Sequence, residues 1–164
     1  MRIAADINSE DEIETWVKAM IADHGYAQIS MHGPDPNEPG YAFTVGLTET
    51  RGSGEFFCMG VAPDIAAQLF SICIGALDDG RLGPGLSDRD VAGLVEDFTL
   101  RFRRLDPALV AQTAHAAIAR YGHGVALHQI ILPDEAGLFP GDDGCNPAYI
   151  AAQDPDRLLR GALN

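Results

Sequence analysis

Two histidines, His123 and His128, precede the acidic pair Asp134–Glu135 in HGVALHQIILPDE. Histidine beside a carboxylate supports general acid–base work or a divalent metal. The spacing argues against a joint site, because residues five apart on a strand face opposite sides. There is also no HExxH or HxH pair. His128 with a carboxylate from elsewhere is left as the candidate, beside its alternative as a sheet histidine bonded to a neighbour.

The second concentration of reactive groups lies in GYAFTVGLTETRGSGEFF, residues 40 to 57: Thr44, Thr48, Glu49, Arg51, Ser53 and Glu55. Serine, histidine and an acid from separate segments can form a nucleophilic triad, but no GxSxG elbow marks one here. The acidic turn DEAGLFPGDDG, with Asp134, Asp142 and Asp143, has the composition of a calcium loop. Its spacing departs from the EF-hand and the closing glutamate is missing; Asp-Gly turns account for it more simply. Cys58 alternates with Phe57 and Met59 and reads as core, not as a nucleophile. Arg101, Arg103 and Arg104 are three arginines in an acidic chain. They suit an anion clamp or, as the favoured reading, a charged edge strand that resists aggregation.

These groups need elements to position them. Ser9 caps a first helix with Glu12 at the capping-box position; Ile13, Trp16, Val17, Met20 and Ile21 form its apolar stripe and Gly25 ends it. YAQISM (26–31) reads as a strand, and the proline-rich HGPDPNEPG after it, with His32, Asp35 and Glu38, as a loop. Residues 41–47 and 55–61 read as an antiparallel pair joined by a hairpin loop. Gly46 inside a strand marks a bulge, a close backbone approach or a closely packed helix. A second, largely buried helix runs from Pro63 to about Leu77. Residues 94–105 read as one strand. A third helix follows with Asp106 as N-cap and Pro107 at its first position, carrying a stripe to Tyr121. HGVALHQIILP is the last strand, and the remainder reads as a surface-wrapping tail with a short helix near Pro155 to Leu163.

At 164 residues and 46% apolar composition the chain suits one globular domain, residues 1–164. The net charge of −13, with 11 basic residues against 24 acidic ones, opposes nucleic acid and anionic membranes as partners. Cys58, Cys73 and Cys145 lack CxxC spacing, so neither a disulfide framework nor a cysteine-rich zinc site is expected. The first residues, MRIAADINSEDEIE, carry no apolar leader, and no run reaches membrane-span length. A cytoplasmic location is expected.

GYAFTVGLTE followed by EFFCMGV, and HQIILPDEAGLFPG near the C-terminus, together resemble the bacterial domain of unknown function 4262 family. The resemblance spans roughly residues 10 to 150. The second motif is carried by Gln129, Pro133, Asp134, Gly137, Phe139 and Pro140. Two departures stand out: Ser53-Gly54 occupies the place where the family commonly has His-Pro, and Gly141 follows Phe-Pro where it often has Trp. The resemblance supports the boundaries and implies no reaction and no cofactor.

The expected fold is α+β: a mainly antiparallel sheet of about five strands with two or three helices mostly on one face. The expected site is a polar cleft where the hairpin meets the Pro-Asp turn, lined by Thr44, Glu49, Glu55, His128, Gln129 and Asp134. The alternative is that the two segments meet only to pin the tail, with Asp134 capping backbone amides. The expected function is a non-enzymatic binding or regulatory module. Its partner would be a protein or a small molecule, and it would have the option of homo-oligomers. The alternative is a small hydrolase-like or metal-assisted enzyme using His128 with Glu49, Glu55 or Asp134.

Overall fold

The computed structural model describes residues 9–33, 40–86 and 88–162, with side chains to Leu159. Asp35 and Glu38 of the proline-rich loop, and Leu163, lie outside the described residues.

Helix α1, Glu10–His24, starts where the Ser9 hydroxyl accepts the Glu12 amide and ends at Gly25, whose φ of 85° is left-handed. Strands β1 (Ala27–Met31) and β2 (Tyr41–Val45) follow, then a short helix α2 (Leu47–Thr50) and β3 (Glu55–Met59). The connection expected as a hairpin loop therefore carries a helical turn. Helix α3 spans Pro63–Asp78, with proline in its first turn.

One sheet holds six strands in the order β1-β2-β3-β6-β5-β4, where β4 is Arg89–Val95, β5 Phe98–Arg104 and β6 Leu127–Ile131. It is mixed: four of its five pairings are antiparallel, as mainly expected, one is parallel, and it has six strands where about five were expected. β6 lies parallel to β3, with Phe56 opposite His128, and antiparallel to β5. The strand expected over 94–105 is a hairpin: β4 and β5 are joined through Asp97, a non-glycine residue at φ 73°. The arginine-bearing strand β5 is consequently interior, and the charged, bulged edge is β4. The helix expected over 107–121 breaks at Ala114 into α4 (Pro107–Thr113) and α5 (His115–Tyr121). Two short helices follow, α6 (Pro147–Ala152) and α7 (Asp156–Ala162).

The sheet is covered on both faces, not mostly on one. Phe43, Val45, Phe57, Met59 and Leu127 pack against α1, α4 and α5. Ala42, Phe56, Cys58, Leu100, Phe102 and Ile130 pack against α3. Two-sided burial is why β3 is continuously apolar through Phe56, Phe57, Cys58 and Met59. The α3 layer leaves and the α4–α5 layer returns on opposite sides, so β6 can enter the sheet between β3 and β5. No helix among the described residues is long and apolar enough to cross a membrane.

Candidate functional site

Glu55 is fully buried at the start of β3. Its Oε1 accepts the Thr44 hydroxyl at 2.9 Å and the Leu47 amide at 3.1 Å; Oε2 accepts the Thr48 amide at 2.7 Å and the Thr48 hydroxyl at 2.5 Å. The first amides of any helix lack intrahelical partners. Gly46, at the N-cap of α2, has no side chain to supply one. Glu55 takes that role from the neighbouring strand. Burial pushes its carboxyl above the usual range, and the Thr48, Thr44 and Leu47 donors pull the other way.

Gly46 is where α2 meets α1. Its φ is 130°, and a Cβ there would fall 2.8 Å from both the Gly25 carbonyl and the Tyr26 Cα. The close approach is thus to the end of α1. From α2, Glu49 points away from Glu55. It accepts Arg120 Nε at 2.6 Å and Nη2 at 2.9 Å, and the Tyr121 hydroxyl at 2.6 Å. The Arg120 guanidinium holds the Glu49 carboxyl down at about 2. Arg51 pairs with Asp78 at 3.1 Å, and Ser53 is buried with its hydroxyl on the Gly54 carbonyl.

His128 is buried, and its Nδ1 has no hydrogen-bond partner. Gly54 makes room for it: a Cβ at Gly54 would lie 2.9 Å from that nitrogen. Burial, with Arg104 nearby, lowers the His128 pKa, while Asp88 and the Leu86 backbone act in the opposite sense.

Gln129 projects to the other side of the sheet, since Leu127 joins the α4–α5 core and Ile130 the α3 core. Its amide donates to the Gln153 carbonyl at 2.8 Å. Gln153 in turn accepts the Leu132 amide at 2.7 Å and donates to the Leu132 carbonyl at 2.9 Å. These three bonds fasten the segment between α6 and α7 to the sheet. Asp134 is buried in its own turn: Oδ1 accepts the Ala136 and Leu138 amides, and Oδ2 the Asn146 amide. Those amides hold its carboxyl below the usual carboxylate range.

Of the six residues expected to line one cleft, Thr44 and Glu55 are in contact. Glu49 is reached through α2, and His128 abuts Gly54 beside Glu55. Gln129 lies on the opposite face from His128, and the Asp134 carboxylate is taken up by its own turn and by the Cys145–Asn146 segment. Among the described residues no group of three or more His, Cys, Asp or Glu is arranged to hold a metal ion.

An open cleft lies elsewhere, on the Gln129 face. It has a volume of about 320 Å³. One wall is the end of β5 with Arg103, the floor is Gln129 and Ile131 of β6 with Leu109 of α4, and the far wall is Ile150, Gln153 and Asp156. Arg103 and Arg101 share a face of β5, opposite the buried Leu100 and Phe102. Arg101 is committed to Asp90 at 2.7 Å and lies 4.2 Å over the Phe139 ring. Arg104 also lines the cleft, although alternation along β5 puts its side chain on the other face, near His128.

Of the far wall, sequence reasoning expected the short helix near Pro155 to Leu163, observed as α7, and missed α6. The signal was present in NPAY: Asn146 accepts the Ala148 amide as N-cap of α6 and Pro147 opens that helix.

Residues 20–146 match the family model of the domain of unknown function DUF4262. No curated protein and no solved structure matches the chain. The chain therefore belongs to the DUF4262 family, whose matched span carries all six strands and the Asp134 turn, while α6 and α7 lie beyond it.

Proposed function

We propose that this chain is a non-enzymatic binding module and that its ligand site is the cleft between β5–β6 and the α6–α7 segment. The observation that carries the proposal is a division of labour among the polar groups. Glu55, Glu49 and Asp134 have their carboxylate oxygens occupied by internal donors, and His128 is buried. The cleft instead offers about 320 Å³ of space with an apolar floor and an exposed arginine. That volume falls within the range of small-ligand sites, about 300–1,000 Å³.

The buried polar cluster and the Gln129–Gln153 clamp then have a supporting role. They fix the strand ends and the far wall, so that the cleft is formed before a ligand arrives, which lowers the ordering cost of binding.

A thermal-shift screen with amino acids, short peptides and small organic acids tests this reading. The comparison is the Ile150→Arg variant, which changes a side chain 39% exposed and fills the cleft without touching the core. Compounds that raise the melting temperature of the native chain and not of the variant are expected. Shifts that are equal in both proteins, or absent from both, would overturn it.

A further inference from the structure

We infer that the cleft takes a short apolar peptide with free termini, its carboxylate at Arg103 and its ammonium at Asp156. The inference rests on the cleft being the ligand site and adds the chemical class of the ligand.

Arg103 of β5 and Asp156 of α7 both line the cleft, and both are exposed. Among the described residues neither is in an ion pair; Arg51, Arg81, Arg101 and Arg120 each hold an acid, and Arg89, Arg104 and Arg157, like Arg103, do not. Asp90, which feels the Arg103 charge, is already held by both Nε and Nη2 of Arg101. The same cleft is lined by the apolar residues Leu109, Ile131 and Ile150.

A ligand that matches this surface has a negative end, an apolar body and a positive end. A simple anion is disfavoured, because Asp106 and Asp156 stand in the same cleft and the chain carries a net charge of −13. A simple cation leaves Arg103 facing it. A guanidinium suits a carboxylate through paired N–H donors. The cleft volume of about 320 Å³ admits a peptide of two or three residues and no long segment.

Titration calorimetry at low salt with four probes of one apolar body tests this: leucyl-leucine, its N-acetyl form, its C-terminal amide, and the doubly capped form. The free dipeptide is expected to bind tightest, with each single cap weakening binding about tenfold, the value of one charge-assisted contact. Arg103→Gln should weaken the free and N-acetyl peptides about tenfold and leave the amide unchanged. Asp156→Asn should do the converse. Both side chains are exposed, so the variants keep the fold. Equal binding of all four probes, lost in Ile150→Arg, would overturn the zwitterion assignment and leave the cleft as a ligand site. Binding of none of the four would overturn it too, and the thermal-shift screen would then decide the broader reading separately.

Discussion

The Thr44 hydroxyl joins the ends of two strands: it donates to Glu55 Oε1 at 2.9 Å and accepts the Phe56 amide, also at 2.9 Å. Through the same carboxylate the first amides of α2 are satisfied. One buried acid thus couples β2, α2 and β3.

Replacing Glu55 should be costly. In Glu55→Gln, the new NH2 faces a backbone amide donor whichever oxygen it replaces, so at least one of the four bonds is lost in a buried site. A loss of about 1–3 kcal/mol is expected, the cost of an unsatisfied buried donor. Thr44→Val should lose about 1–2 kcal/mol by leaving the Phe56 amide unpaired. Urea denaturation of the three proteins measures both. A Glu55→Gln midpoint equal to that of the native chain would refute the capping role.

Gly46→Ala should also destabilise, and for a backbone reason. The φ of 130° is closed to L side chains, and the added Cβ meets the Gly25 carbonyl at 2.8 Å. A cost of at least about 2 kcal/mol is expected from the strained conformation and the contact together. Gly52→Ala serves as a comparison, because a Cβ there meets nothing within 4 Å, although its φ of 64° still favours glycine. The second variant should lose less than the first by the same denaturation assay.

Stability should depend on pH through His128. Burial depresses its folded pKa below the ordinary histidine value of about 6.5. Between those two values the unfolded chain holds more protons than the native one, so stability rises with pH there. The contribution is fully present above 6.5 and is lost as pH falls through the window toward the folded value. Glu55 runs the other way: its raised pKa favours the protonated native form, so its contribution falls as pH rises above 4.5. The difference between the native chain and His128→Gln isolates the histidine. The native denaturation midpoint is expected to drop between pH 7.5 and 5.5 more steeply than the variant's. Parallel slopes would show that His128 does not titrate differently on folding.

Much of the fold was legible where side chains interact with their own segment. Ser9 and Gly25 bound α1, Pro63 opened α3, and Asp106 with Pro107 opened α4, all through local capping chemistry. What escaped depends on distant partners. The parallel pairing of β3 with β6 joins Phe57 to Gln129 across α3, β4, β5, α4 and α5, and no local pattern encodes it. The β4–β5 turn was hidden because Asp97, not glycine, occupies the left-handed position. For the candidate site, the sequence singled out Thr44, Glu55 and Gln129, all of which hold buried hydrogen bonds. The partners Thr48 Oγ1 and Gln153 emerged only from the fold. Alternation does place His128 and Gln129 on opposite faces, but not which core each face meets.

Gln153→Ala should loosen the far wall of the cleft. It removes the two bonds to Leu132 and leaves that partly buried backbone, just after β6, without these partners. Hydrogen exchange read by mass spectrometry should show faster exchange over residues 147–159 and at Leu132, with the β2–β3 amides unchanged. Uniform acceleration across the chain would instead mean global destabilisation, and no change would mean that the clamp is dispensable.

The central claim is that the cleft of about 320 Å³ holds a ligand. Native mass spectrometry of the gently purified chain, side by side with Ile150→Arg, tests it most directly. Extra mass of a few hundred daltons on the native chain, missing from the variant, is the expected result, in keeping with a pocket of that size. Identical ligand content in the two proteins, whether both bare or both loaded, would contradict it.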